Sequence, residues 1–162
     1  MNMPQRITLI PITAENERDC IQLSPGADQM DLVASNADSL IHANNEVTSK
    51  PYGIYTDRTM VGFVLFDQEV YPDGYYWILR FMIDARYQGN GYGTAAIREV
   101  IDQLHTRKNC TQIRVSHVPH NTAANQLYKK CGFVETGEFE ANGDIILAYH
   151  MSERVLRLVN LL

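Results

Sequence analysis

No two cysteines in this sequence form a CxxC pair, and only three exist, Cys20, Cys110 and Cys131, widely scattered. Such a set frames neither a disulfide scaffold nor a zinc site, and reads as free thiols in a reducing compartment. No apolar run approaches the roughly 20 residues that a membrane span needs. The opening residues Met1-Asn2-Met3-Pro4-Gln5-Arg6 lack the apolar stretch of a signal peptide. A cytoplasmic protein with no membrane partner is therefore expected. Basic charge is scarce as well: 14 Lys and Arg stand against 19 Asp and Glu, a net charge of −5. That balance disfavours nucleic acid as a partner, since nucleic acid seeks a basic face. It suits a cationic small molecule. Low-complexity linkers and internal repeats are absent. With 45% hydrophobic and 20% charged residues, the 162-residue chain has globular composition. One domain over residues 1–151, followed by a tail over 152–162, is the expected organisation.

Residues 6–12 (RITLIPI) read as an opening strand. Thr13 is placed to cap a helix reaching about Leu23, and Ser24-Pro25-Gly26 breaks it. Met30, Val33, Ala34, Ala37 and Ile41 follow at helical offsets and predict a second helix. Residues 50–56 and 60–66 predict a hairpin around Asp57-Arg58. Residues 75–83 (YYWILRFMI) form a nearly continuous apolar run, as expected of a buried central strand. Ile97, Val100, Ile101 and Leu104 then mark one face of a helix starting near Tyr92. Residues 112–118 predict a strand, and Ala124, Leu127, Tyr128 and Cys131 predict a helix that Gly132 ends. Two last strands, 133–136 and 144–150, flank Asn142-Gly143, a hairpin signal. The order β α α β β β α β α β β implies an α/β fold of the mixed α+β kind. It is one mostly antiparallel sheet of about seven strands, with four helices on its faces.

The most informative segment is Gln88-Gly89-Asn90-Gly91-Tyr92-Gly93-Thr94, between the apolar strand and the amphipathic helix. Three alternating glycines let the backbone turn sharply and let a ligand approach its amides. Those amides open a helix, where donors lack partners and the dipole is positive, so a pyrophosphate is the natural guest. A P-loop needs GxxxxGK[ST], and no lysine follows here. A dinucleotide fold needs GxGxxG after the first strand, whereas this is GxGxG after the fourth. A ligand-free glycine turn is the plain alternative. In a second segment, Asn121 sits at an N-cap position and Tyr128 lies two turns on, beside the apolar face. Taken singly, these are a plain cap and a core tyrosine.

Together the segments resemble the GNAT acetyltransferase superfamily. Gln88 to Gly93 resembles its acetyl-CoA signature, and Asn121-x-x-Ala124-x-x-Leu127-Tyr128 with Gly132-Phe133 resembles its second block. Residues 76–89, 116–121 and 135–138 are similar to the bacterial spermine/spermidine acetyltransferase group. The resemblance implies acetyl transfer from acetyl-CoA to a primary amine, with a polyamine as the leading acceptor. Protein N-termini, amino acids or antibiotics are the other acceptors, and a non-catalytic acetyl-CoA-binding regulatory module is the other class of function. It implies that Gln88, Gly89, Asn90, Gly91, Tyr92, Gly93 and Thr94 hold the pyrophosphate. Phe81, Met82 and Ile83 pair with the pantetheine arm, Asn121 contacts the cofactor, and Tyr128 protonates the leaving thiolate.

Many members carry a glutamate on the fourth strand where this chain has Trp77. The base is therefore unassigned, with Asp67, Glu69, Asp73 and His117 as nearby candidates or water as the proton's exit. The same three carboxylates form an acidic cluster, either a solvated loop or a subsite for distal ammonium groups. His117 and His120 lack a third ligand, so no metal is expected. In the tail, Val155, Leu158, Val159 and Leu162 fall on one helical face, which raises the expectation of a homodimer.

Overall fold

The computed structural model describes residues 6–152. The expectation for the apolar tail therefore falls almost wholly outside the described residues. Seven strands form one sheet in the order β1-β2-β3-β4-β5-β7-β6. They are β1 (Thr8–Pro11), β2 (Ser49–Thr56), β3 (Thr59–Asp67), β4 (Tyr76–Ile83), β5 (Gln112–His117), β6 (Val134–Phe139) and β7 (Ile145–His150). The helices are α1 (Glu17–Gln22), α2 (Asn36–Asn45), α3 (Tyr92–Leu104) and α4 (Thr122–Lys130). This is the expected element order. All ladders are antiparallel except β4 with β5. A parallel pair cannot be joined by a tight turn, and α3 supplies the crossover.

Two cores flank the sheet. On one face, Ile97, Val100, Ile101 and Leu104 of α3 pack with Ile54, Val64, Ile78 and Ile113. Each such side chain contributes about 2 kcal/mol by leaving water. On the other face, Cys20 and Leu23 meet Met60, Phe63, Leu65 and Met82. β3 is buried from Met60 to Asp67 because both layers cover it. All three cysteines are free and buried.

Two helix expectations need correction. α1 begins at Glu17, not at Thr13. Thr13 instead opens a turn in which its amide donates to Asn16 Oδ1 at 2.8 Å. α2 begins at Asn36, with Ser35 Oγ accepting from the Asp38 amide, and the chain before it runs through turns. Its buried side chains are Asn36, Ser39 and Ala43, whereas Met30 and Ile41 are 60% and 64% exposed. Polar and small residues face this core, so a pattern of apolar residues alone marks the wrong stripe. β6 also runs three residues beyond the expected Thr136.

The end of α4 follows the expectation closely. Gly132 takes φ +101°, a conformation that side chains resist. Its amide donates to Lys129 O at 3.0 Å, and the Phe133 amide donates to Tyr128 O at 3.0 Å. This double bond pattern closes the helix and fixes where Tyr128 sits.

Candidate active site

β4 and β5 pair only through Tyr76, Trp77 and Ile78, which face Ile113, Arg114 and Val115. Beyond that point each strand keeps its other neighbour. β3 pairs with β4 as far as Ile83, and β7 pairs with β5 as far as His117. The two strands therefore part like a wedge. The β3–β4 register shifts at this point, skipping Leu79 between Ile78 and Arg80. A bulge of this kind bends a strand and re-aims its side chains. The parting opens a cleft of about 820 Å3. The edge of β4 from Leu79 onward faces it without a partner strand, a template for an added extended chain.

The glycine loop closes one end. Gly89 and Gly91 take φ +80° and +82°, and Gly91 is the residue before α3. The first helical donor is Ala95, which bonds Gly91 O at 3.1 Å. The amides of residues 91–94 thus precede the hydrogen-bond ladder, at the positive end of the helix. The Gln88 side chain holds the loop in place. Its Nε2 donates to Ile83 O, Pro25 O and Gln29 Oε1 at 2.9, 3.0 and 3.0 Å. It ties the loop to the end of β4 and to the chain between α1 and α2. Asn90 donates to Tyr87 O at 3.0 Å and to Gln88 O at 3.3 Å. It braces the loop and is the one residue expected to hold the acetyl donor that does not line the cleft. Phe81, Met82, Ile83, Gln88, Gly89, Gly91, Tyr92, Gly93, Thr94, Asn121 and Tyr128 all do.

Tyr128 is 5% exposed, with its ring between those of His117 and Phe133 at 6.4 and 5.8 Å. Its hydroxyl makes no hydrogen bond among the described residues, and the residue lines the cleft. Burial, and then the nearby Cys131 thiol, push its pKa above the ordinary tyrosine range. The phenol thus stays protonated at neutral pH, a proton donor in waiting. Asn121 Oδ1 accepts from the Ala124 amide at 3.1 Å, so it is the helix cap as well as a lining residue.

The base candidates fare less well. His117 is buried, with Nδ1 2.8 Å from Val118 O and Nε2 3.0 Å from Asn125 Nδ2. A carbonyl accepts from one nitrogen and an amide donates to the other, so both ring nitrogens already have partners. Asp67, Glu69 and Asp73 lie outside the cleft lining, which goes against the subsite alternative for this cluster. Asp67 accepts from Thr48 Oγ1 at 2.8 Å and from the Trp77 amide at 2.7 Å. Asp73 accepts from Trp77 Nε1 at 2.7 Å. The carboxylates that do line the cleft are Asp31 and Asp144. Sequence reasoning passed them over because only folding brings those two loops to the same mouth.

Burial raises the Asp67 pKa to about 6, against the pull of the Trp77 amide and the Thr48 hydroxyl. Its folded value exceeds its unfolded value, so its ionisation at neutral pH costs stability. That cost disappears as pH falls from about 6 to about 4. Asp67→Asn should therefore stabilise the fold at pH 7 by up to about 3 kcal/mol. The advantage should shrink toward zero near pH 4, read by urea unfolding at both values.

Sequence reasoning also missed Asp84, which shapes the loop from beneath. It is 3% exposed and accepts from the Ser24 amide at 2.9 Å, the Arg86 amide at 3.0 Å and Arg86 Nε at 2.8 Å. Burial alone would raise its pKa, but the bonds from Arg86 and Ser24 outweigh it and hold the carboxyl below its usual range. Its position at the junction of an apolar strand and a glycine loop was the signal that could have found it.

Comparison with known proteins agrees with this geometry. The acetyltransferase (GNAT) family model matches residues 17–133. The chain is 30% identical over 146 residues to a spermine/spermidine N(1)-acetyltransferase of Bacillus subtilis, covering 87% of this chain and 96% of that one. Among solved structures it resembles the spermidine N-acetyltransferase from Vibrio cholerae in complex with CoA and spermine. There the TM-score is 0.69 at 20% identity, covering 93% of this chain and 98% of the other. An aminoglycoside acetyltransferase in complex with coenzyme A superimposes with TM-score 0.73 at 17% identity, covering 96% and 99%.

Proposed function

Because the chain belongs to the acetyltransferase (GNAT) family, acetyl-CoA is its acetyl donor, and we propose that its acceptor is a polyamine, acetylated on a primary amine inside the cleft. The observation that carries this reading is the wedge between β4 and β5, with Tyr128, whose hydroxyl makes no hydrogen bond among the described residues, lining the same cleft. The family needs no metal. Among the described residues no cluster of three or more His, Cys, Asp and Glu is placed to hold one.

The chain fits the donor at each end. The amides of residues 91–94 receive the pyrophosphate, and Asn121, in the lining of the same cleft, contacts the donor. The free edge of β4 from Phe81 to Ile83 pairs with the pantetheine arm and directs the thioester toward the parting of the strands. A main-chain N–H at that point steadies the negative charge that builds on the carbonyl oxygen during attack. Tyr128 supplies the proton that the departing thiolate needs.

The polyamine assignment is supported by the names of the curated relatives, by the acidic chain and by Asp31 and Asp144 along the cleft. A cytoplasmic location and a homodimer belong to the same proposal, resting on the free cysteines and the apolar 152–162 segment. The test is free-thiol release from acetyl-CoA with spermidine, lysine, a peptide N-terminus and an aminoglycoside as acceptors. Spermidine is expected to show a kcat/KM at least about tenfold above the rest. A peptide or aminoglycoside in first place contradicts the assignment and leaves the acetyltransferase intact.

A further inference from the structure

Arg80 is the lone cation in the apolar strand and has no role in the scheme above. It follows the bulge at Leu79 and lines the cleft, two residues past Ile78, where β4 leaves β5. Its Nη1 donates to Leu79 O at 2.7 Å, while its buried Nε has no partner. Among the described residues no carboxylate makes an ion pair with it. The titratable and charged groups sharing the cleft come from every surrounding element. They are Asp31 before α2, Tyr87 and Tyr92 at the glycine loop, His117 on β5, Tyr128 and Lys130 on α4, and Asp144 before β7. Asp31 is exposed, and Asp144 is half-exposed, as Arg80 is. Arg80 sits where the strands part, and Lys130, the other cation of the lining, is exposed.

That arrangement addresses the weakest point of the reaction. An alkyl amine with a reference pKa of about 10.4 is uncharged in roughly one molecule in 2,500 at pH 7. β4 carries Trp77 where a glutamate is usual, both nitrogens of His117 are engaged, and the carboxylates that line the cleft, Asp31 and Asp144, stand on the loops before α2 and β7. A like charge nearby disfavours the charged form of a titratable group. We propose that Arg80 selects the acceptor's reacting nitrogen in its uncharged, nucleophilic form, while the distal ammonium groups of the same molecule face Asp31 and Asp144. This rests on the acetyl-transfer reading.

The proton count closes. The entering R–NH3+ gives one proton to solvent, and the nitrogen lone pair attacks the thioester carbon. The C–S bond breaks, and the thiolate takes the Tyr128 hydrogen. The second amine proton returns to the Tyr128 oxygen. The products are the N-acetyl amine, the free thiol and one proton released to water.

The experiment compares kcat and kcat/KM against pH for the wild type, R80Q and R80K, with spermidine and acetyl-CoA. The kcat profile reports the bound complex, and the kcat/KM profile reports free enzyme and free amine. In the wild type the acid limb of kcat should lie well below the free amine's pKa. R80Q should move that limb up by about one pH unit or more, lowering kcat near pH 7 by about tenfold or more, with the kcat/KM limb in place. R80K keeps the charge and should keep the limb. A limb unmoved in R80Q, even with lowered thermal stability, makes Arg80 structural and overturns the proposal. So does a loss confined to acceptors that carry a carboxylate, which makes Arg80 an anion site. If R80Q does not fold, a wild-type kcat limb at the free amine's pKa overturns it equally. Absence of thiol release with every amine overturns the acetyl-transfer reading itself, a result distinct from all of these.

Discussion

Tyr128→Phe should lower kcat by about 10²- to 10⁴-fold while leaving acetyl-CoA affinity within about twofold. The substitution removes one oxygen and keeps the ring that packs against His117 and Phe133. That oxygen makes no hydrogen bond among the described residues, so its loss leaves no partner stranded. Folding is expected to be unchanged for the same reason. The effect therefore isolates the proton that the phenol donates. Steady-state thiol release and a calorimetric titration with acetyl-CoA, run on the same preparation, separate the two quantities. Turnover equal to wild type makes Tyr128 a core residue and removes it from the chemistry.

Gly91→Val should abolish measurable acetyl-CoA binding, raising Kd by about 100-fold or more. Two effects act together. The backbone at Gly91 holds φ +82°, where a β-branched residue is strained by about 1–3 kcal/mol. A Cβ there meets nothing within 4 Å, so free space does not oppose it and the backbone conformation does. The loop must therefore rearrange, and the amides of residues 91–94 lose their common direction. Added carbon atoms also stand where the phosphates come closest to the chain. Unaltered affinity in a folded Gly91→Val protein places the phosphates elsewhere.

The loop and α3 were legible in the sequence because the signals are local. Alternating glycines need no tertiary context, and Ile97, Val100, Ile101 and Leu104 repeat at a helical period over a long element. β4 was legible for a similar reason, since seven of its eight residues are apolar and Arg80 alone interrupts them. The parting of β4 from β5 was not. It is a property of pairing between strands far apart in the chain, and no local pattern in either strand marks where the ladder stops. The subsite alternative for the acidic cluster rested on nearness in sequence to β4, which is not nearness to the cleft. Asp67 lies at the end of β3, where its oxygens secure Thr48 and Trp77 instead. α2 was misplaced because it buries Asn36 and Ser39. Asn36 earns that position by donating to Cys20 O at 2.8 Å, a bond no periodicity reveals. Arg80 was visible in the sequence as a cation inside an apolar strand, but that no described carboxylate pairs with it is visible only in the fold.

The most direct measurement mixes the wild-type protein with acetyl-CoA and spermidine, then follows free thiol and the mass of the amine together. The account predicts thiol and mono-N-acetylated spermidine in equal amounts, both dependent on intact Tyr128. Thiol release with the amine unmodified, or no thiol release at saturating acetyl-CoA, contradicts it.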